Sequence, residues 1–232
     1  ALALSWTPVG DTTWEFRLRS GVRFHDGTPL TAEDVAATIR RVPMATEKSP
    51  SSFMRFVKDI KKIEVVDPLT VRLHTETPVP LLPNYLSRIS IMPAAMEKAR
   101  TQDLDKGNGV IGTGPYRFVS WQPDSQIVLE ANPDYWGGKP AWDKVVYRFI
   151  PTDSSRVAAL LAGDVDLIEN VPSSSLNVLR KNQNFRLESA SGNRVLYLAL
   201  DHDREVSPFA AGPDGKNPLR DRKVRQAMSM AI

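Results

Sequence analysis

The sequence predicts an α/β fold that carries an α+β subdomain in its first half. Three observations predict it. The first half alternates short strand patterns and turns around one clear helix. The second half runs strand, helix, strand at the spacing of a βαβ unit, which implies parallel pairing through a right-handed crossover. The composition, 232 residues with 41% hydrophobic and 25% charged side chains, is that of a globular chain and excludes a disordered or fibrous one. Eighteen prolines add that the elements are short and joined by rigid turns.

Residues 14–19 alternate apolar and polar, a strand with one wet face. Gly21 and the His25-Asp26-Gly27 turn follow. Thr31 then caps a helix, with Asp34 in the place of the capping-box Glu and Val35, Ala36 and Ile39 on the buried stripe; Pro43 ends it. Residues 60–66 and 70–75 form a hairpin turned at Asp67-Pro68. Residues 78–93 are apolar and broken by proline, neither a clean helix nor a clean strand. Residues 116–121 and 126–131 pair around Pro123-Asp124.

From about Trp142 the pattern changes. Residues 144–150 are nearly continuously apolar, as in a strand covered on both faces. Residues 153–161 form a helix closed by Gly163, with Val157, Leu160 and Leu161 inward. Residues 165–169, 185–188 and 195–200 read as strands and 173–181 as a helix. The last helix starts at an Asp221 N-cap, with Val224, Ala227, Met228 and Ala231 on one face. It has no stop signal, and the chain opens on apolar Ala1 to Trp6 without an initiator Met or a leader pattern. Those ends lead us to expect a fragment, a natural C-terminal helix being the alternative.

Much chemistry is excluded. No apolar run approaches ~18 residues, so none reads as a membrane-spanning helix. A net charge of +3 is too small for a dedicated nucleic-acid binder. With no cysteine there is no disulfide framework, thiol nucleophile or cysteine zinc site. Gly107-Asn108-Gly109-Val110-Ile111-Gly112 fits the dinucleotide pattern by letter, but it lacks a strand before it, and Pro115 forbids a helix after it. His25, His74 and His202 are far apart in sequence and read as solvated turn or strand residues rather than as a metal set. The acidic pairs Glu33/Asp34, Asp164/Asp166 and Asp201/Asp203 read as helix-start or turn carboxylates, and the five tryptophans as core or turn anchors. No nucleophile elbow, metalloprotease helix or P-loop occurs. An enzyme is unsupported, and no catalytic residue, metal ligand or cofactor is assigned.

Two places stand apart. Gly112-Thr113-Gly114-Pro115-Tyr116 sets two glycines and a hydroxyl ahead of a strand, either for a tight turn or for close approach of a ligand to free N–H groups. Arg88 is a charge inside the apolar run 85–92; such an arginine either reaches out to water or holds a carboxylate.

Five strings, in order, carry a resemblance. They are Phe24-His25-Asp26-Gly27-Thr28-Pro29-Leu30-Thr31-Ala32-Glu33-Asp34-Val35, Gly112-Thr113-Gly114-Pro115-Tyr116, Asn132-Pro133-Asp134-Tyr135-Trp136-Gly137-Gly138-Lys139-Pro140, Gly163-Asp164-Val165-Asp166-Leu167 and Arg220-Asp221-Arg222-Lys223-Val224-Arg225-Gln226-Ala227. Together they resemble the extracytoplasmic solute-binding proteins of family 5, the dipeptide-, oligopeptide- and nickel-binding receptors of ABC importers. The resemblance implies an incomplete lobe I of a periplasmic-binding-protein-like fold (type II, cluster C). Residues 1–143 would be its α+β subdomain and 144–232 its hinge-proximal α/β part, with the second lobe absent.

The implied function is capture of peptides or a similar small solute outside the cytoplasm, with an ABC permease as partner and no nucleic acid. The full-length form would be a monomer, periplasmic or otherwise extracytoplasmic, and membrane-anchored in a Gram-positive organism. By position in the family, Thr113 and Gly114 of the Gly112-Thr113-Gly114 segment, and Asn193 just before strand 195–200, would face the cleft; Arg88 is a weaker candidate for an anionic group. The His25, Asn132 to Trp136 and Asp221 to Ala227 strings would be structural. The alternatives are a hydrolase- or transferase-type α/β enzyme domain and a non-transport solute sensor.

Overall fold

The structure, a computed structural model, describes residues 1–44, 53–99, 104, 107, 109–192 and 196–231. It divides into two compact units, Ala1–Asn170 and Val171–Ile232.

The first unit is built on a four-stranded antiparallel sheet. Its strands are β1 (Ala3–Pro8), β2 (Thr13–Leu18), β3 (Ile60–Asp67) and β4 (Thr70–Thr75), in the order β1-β2-β4-β3. The alternation read over residues 14–19 is real: Phe16 and Leu18 are buried, while Arg17 faces water. At the turn into β4, the Asp67 carboxylate accepts the Leu69 N–H at 2.7 Å, so the Asp-Pro pair fixes the hairpin as expected. β4 lies between β2 and β3, which is why Val71 and Leu73 are fully buried.

Helix α1 (Ala32–Met44) covers one face of this sheet, laying Val35 and Ile39 on Phe16, Leu18, Val71 and Leu73. Its start is capped as expected in part. The Asp34 carboxylate accepts the Thr31 N–H at 2.7 Å, but the Thr31 hydroxyl donates to the same oxygen rather than accepting a backbone N–H. Pro43 lies inside the last turn instead of ending the helix before it, because at that end the missing N–H removes only one bond. Helix α2 (Met54–Val57) adds Val57 to the core. The proline-broken run contains a short helix, α3 (Leu82–Leu86), with Leu82 buried.

A second sheet holds β5 (Tyr116–Gln122), β6 (Gln126–Ala131) and β7 (Lys144–Arg148) in the order β5-β6-β7, all antiparallel. Asp124, at φ 58°, makes the turn between β5 and β6. Two expectations are corrected here. β7 pairs antiparallel with β6, so residues 144–170 form no parallel βαβ unit among the described residues. Nor is β7 covered on both faces, since Val146 is 44% and Tyr147 53% exposed. Helix α4 (Asp153–Ala162) follows and ends as predicted on Gly163, at φ 78°. The Asp164 N–H returns to Ala159 O and the Gly163 N–H to Leu160 O. Val157 and Leu160 turn inward with Ala159, whereas Leu161 is exposed.

In the second unit a 3₁₀ turn at Ser173–Ser175 runs into α5 (Leu176–Lys181), matching the helix predicted over 173–181. The final helix, α6 (Arg222–Met230), starts at Asp221, whose carboxylate accepts the Lys223 N–H at 2.8 Å. Val224 and Met228 are half-buried, but Ala227 and Ala231 are exposed. Asn217, which drew no attention in the sequence, is the polar centre of this unit. It is buried, donates through Nδ2 to Asp201 O and Arg204 O, and accepts the Leu219 N–H.

The strands read at 165–169 and 185–188, and the described part of 195–200, are not formed. A strand exists only where a neighbour completes its ladder. Leu196, Tyr197 and Leu198 have the composition of one but stand 97%, 79% and 63% exposed.

Candidate functional site

The Gly112-Thr113-Gly114 loop enters β5 directly; no helix follows it, which removes the dinucleotide pattern on structural grounds. Two turns grip the loop. The first runs through His25. Its Asp26 carboxylate accepts the Thr28 N–H at 3.0 Å and the Thr28 hydroxyl at 2.6 Å, which holds the Asp26 carboxyl below its ordinary range, the hydroxyl bond being the larger cause. Gly27, at φ 85°, closes that turn onto Phe24 O. Val22, Phe24 and Leu30 anchor it in a small core with Trp136 against it.

From this base the His25 imidazole reaches the loop on both sides. Nδ1 accepts the Gly112 N–H at 3.2 Å, and Nε2 donates to Gly114 O at 3.1 Å. Only the neutral ring with its proton on Nε2 satisfies both bonds. The His25 main-chain N–H also donates to Gly112 O at 2.9 Å.

The second turn is Asn132 to Trp136. Asn132 is buried and donates through Nδ2 to Gly114 O at 3.0 Å, while its N–H donates to Pro115 O at 2.8 Å. Its Oδ1 accepts the Asp134 N–H, so its side chain serves the turn and the loop at once. The Trp136 indole N–H donates to Thr113 O at 3.2 Å, with the Arg19 guanidinium 4.7 Å from the ring centre. Three of the strings that carried the resemblance therefore meet in space: two turns hold the third. Sequence reading treated the two turns as structural without placing them on this loop. The signal available was a pair of turns whose side chains can both donate and accept.

The other candidates lie differently. Arg88 sits just past α3 with its side chain exposed and makes no side-chain hydrogen bond or ion pair among the described residues. That placement leaves the guanidinium open to water or to the carboxylate of a ligand. Asn193 lies outside the described residues. Like His25, His74 has partners and is not simply solvated: its ring joins Thr13 Oγ1 at 3.0 Å and Glu64 Oε2 at 3.1 Å. This aligns a hydroxyl, an imidazole and a carboxylate, the connectivity of a hydrolase. However, the three sit on the polar face of paired strands, and Glu64 also faces Arg72 and Lys62 at 3.7 and 3.8 Å. They make a cross-strand polar network of the ordinary kind. Among the described residues no group of three His, Asp or Glu side chains could hold a metal ion, and no helix is long and apolar enough to cross a membrane.

The profile of the bacterial extracellular solute-binding proteins, family 5 Middle, matches residues 1–232. The chain belongs to that family. Among its family 5 relatives is the "Probable D,D-dipeptide-binding periplasmic protein DdpA" of Escherichia coli (strain K12), 32% identical over 98% of this chain and 42% of the relative. Two solved structures are similar. One is AppA from Bacillus subtilis in complex with a nonapeptide, with a TM-score of 0.68 and 30% identity over 78% of this chain and 37% of that one. The other is NikZ from Campylobacter jejuni in complex with Ni(L-His), with a TM-score of 0.70 and 28% identity over 79% and 37%. The fold is thus that of part of a type II periplasmic-binding-protein lobe, mixed in helix and sheet. The chain spans about two-fifths of the length of these relatives. They are described as binding proteins rather than enzymes, so the hydrolase alternative has no support.

Proposed function

We propose that this chain is part of a receptor that captures peptides, or a similar small polar solute, outside the cytoplasm and delivers it to an ABC permease in the membrane. The observation that carries this reading is the family 5 match over all of residues 1–232. Relatives with similar folds are described as holding a nonapeptide and a nickel–histidine complex, ligands that both carry a carboxylate. In this reading the Gly112-Thr113-Gly114 loop lines the solute side, with Thr113 and Gly114 as contact residues, Asn193 beside them and Arg88 as a further anion partner. The receptor works as a monomer in the periplasm or its extracytoplasmic equivalent. It captures without converting: solute affinity comes from buried polar contacts on facing surfaces that close over the ligand.

A thermal-shift screen of the complete gene product tests the reading, with alanyl-alanine, trialanine, a nickel–histidine complex and an oligosaccharide as the solutes. A solute bound only by the folded state, present at a hundredfold excess over its dissociation constant, adds about 2.7 kcal/mol of stability, a rise of a few degrees. A melting temperature unmoved by every class refutes the receptor.

A further inference from the structure

This inference rests on the receptor reading and concerns what the loop can recognise. Each of the three loop carbonyls accepts at least one hydrogen bond. Gly112 O accepts the His25 N–H, Thr113 O accepts the Trp136 indole N–H, and Gly114 O accepts from both His25 Nε2 and Asn132 Nδ2. The Gly112 N–H is taken as well, by His25 Nδ1. That leaves the N–H groups of Thr113 and Gly114, which find no acceptor among the described residues. Thr113 is itself only 9% exposed, a setting in which an unmatched N–H is costly.

Gly114 supplies the second observation. Its φ is outside the left-handed region, and a Cβ built on it meets nothing within 4 Å. Neither backbone conformation nor packing within the described chain requires glycine there. What the missing side chain leaves is open space beside the Gly114 N–H.

We propose that Thr113 N–H and Gly114 N–H form a donor edge that binds an acceptor oxygen of the solute, a peptide carbonyl or a carboxylate, across the open face of Gly114. Gly114 O is doubly bonded within the protein, while Gly112 O and Thr113 O each already accept one bond, so the polarity this loop leaves unmatched is that of its two N–H donors.

The test uses the complete gene product and its G114V and G114A variants. Isothermal titration is run with alanyl-alanine, alanyl-alanine amide and the nickel–histidine complex, and thermal melts without solute. The added Cβ enters open space, and valine suits a position before proline, so the solute-free melts are expected to stay within about 2 °C of wild type. Affinity is expected to fall at least about tenfold in G114V and by less in G114A, as a blocked hydrogen-bonded contact predicts. A loss confined to the free acid assigns a carboxylate; an equal loss for acid and amide assigns a peptide carbonyl. Wild-type affinity retained in G114V overturns the donor edge and leaves the receptor standing. A G114V melt lowered by more than about 5 °C contradicts the open space and overturns the edge too. Wild-type protein that binds none of the three probes overturns the edge, and the receptor reading falls with it when the oligosaccharide also leaves the melt unmoved.

Discussion

Asp34 shows how much one side chain organises in this fold. Its carboxylate, only 7% exposed, accepts from Thr31 N–H and hydroxyl on one oxygen and from Ala94 N–H at 2.7 Å on the other. It therefore caps α1 and ties the segment after residue 92 to that helix. Thr38 repeats the tie, accepting the Met92 N–H at 3.0 Å. Arg41 completes it by donating to the carbonyls of Met96, Glu97 and Ala99. The same segment has an outer clasp in which Arg40 grips Glu97 at 2.9 Å and also meets Glu33. The hydrogen bonds from Arg40 hold the Glu97 carboxyl below its ordinary value of 4.5. A depressed carboxyl contributes stability that is complete above its unfolded value and is lost as pH falls through the folded one. Glu97→Gln is therefore expected to melt below wild type at pH 7, with the difference closing as pH drops below 4.5. Melting curves from pH 7 to pH 3 read this directly, and a gap that stays constant would contradict it. Asp26, Asp67 and Asp201 are shifted the same way, by hydrogen bonds from Thr28, from the Leu69 N–H and from Ser207, so the variant keeps some acid sensitivity.

At the scale of elements, β4 is the strand on which the first unit depends. Leu73 is fully buried, opposite Trp14 of β2 and Ile63 of β3, beneath α1. Leu73→Ala removes methyl groups from a site walled on three sides that has little freedom to collapse. It is expected to cost about 3 kcal/mol, measured by urea denaturation. A cost below about 1 kcal/mol would mean that the sheet repacks. Elements whose signals are local were legible in the sequence. β2 announced itself by alternation, the β3–β4 hairpin by Asp67-Pro68, α4 by its Gly163 stop and α6 by its Asp221 cap. Elements whose existence depends on a distant partner were not. The apolar residues around Leu196 match a strand in composition, yet no residue within reach in sequence decides whether a ladder forms. The direction of β7 had the same problem: its apolar run suggested two covered faces, while its pairing with β6 is a property of the sheet.

For the molecule as a whole, the candidate site was legible in outline. The loop at residues 112–114 drew attention because two glycines flank a hydroxyl before a strand. What could not be read was convergence, since His25 reaches Gly114 O across 89 residues and Trp136 reaches Thr113 O across 23. Nor could the outward turn of Arg88 be read, because the apolar residues around it belong to a short helix that buries Leu82 and leaves Arg88 on the rim. Trp136 gives the loop a property of its own. Its indole is bonded to the peptide group whose nitrogen, that of Gly114, is part of the proposed contact, and a cation lies against its ring. The protein thus contains a native optical gauge, since small displacements of that peptide alter the field at a fluorophore. Saturating alanyl-alanine is expected to change the tryptophan emission of the complete gene product, and Trp136→Phe is expected to silence that change while the other four indoles go on emitting. Emission that still responds without Trp136 would put the gauge elsewhere in the molecule.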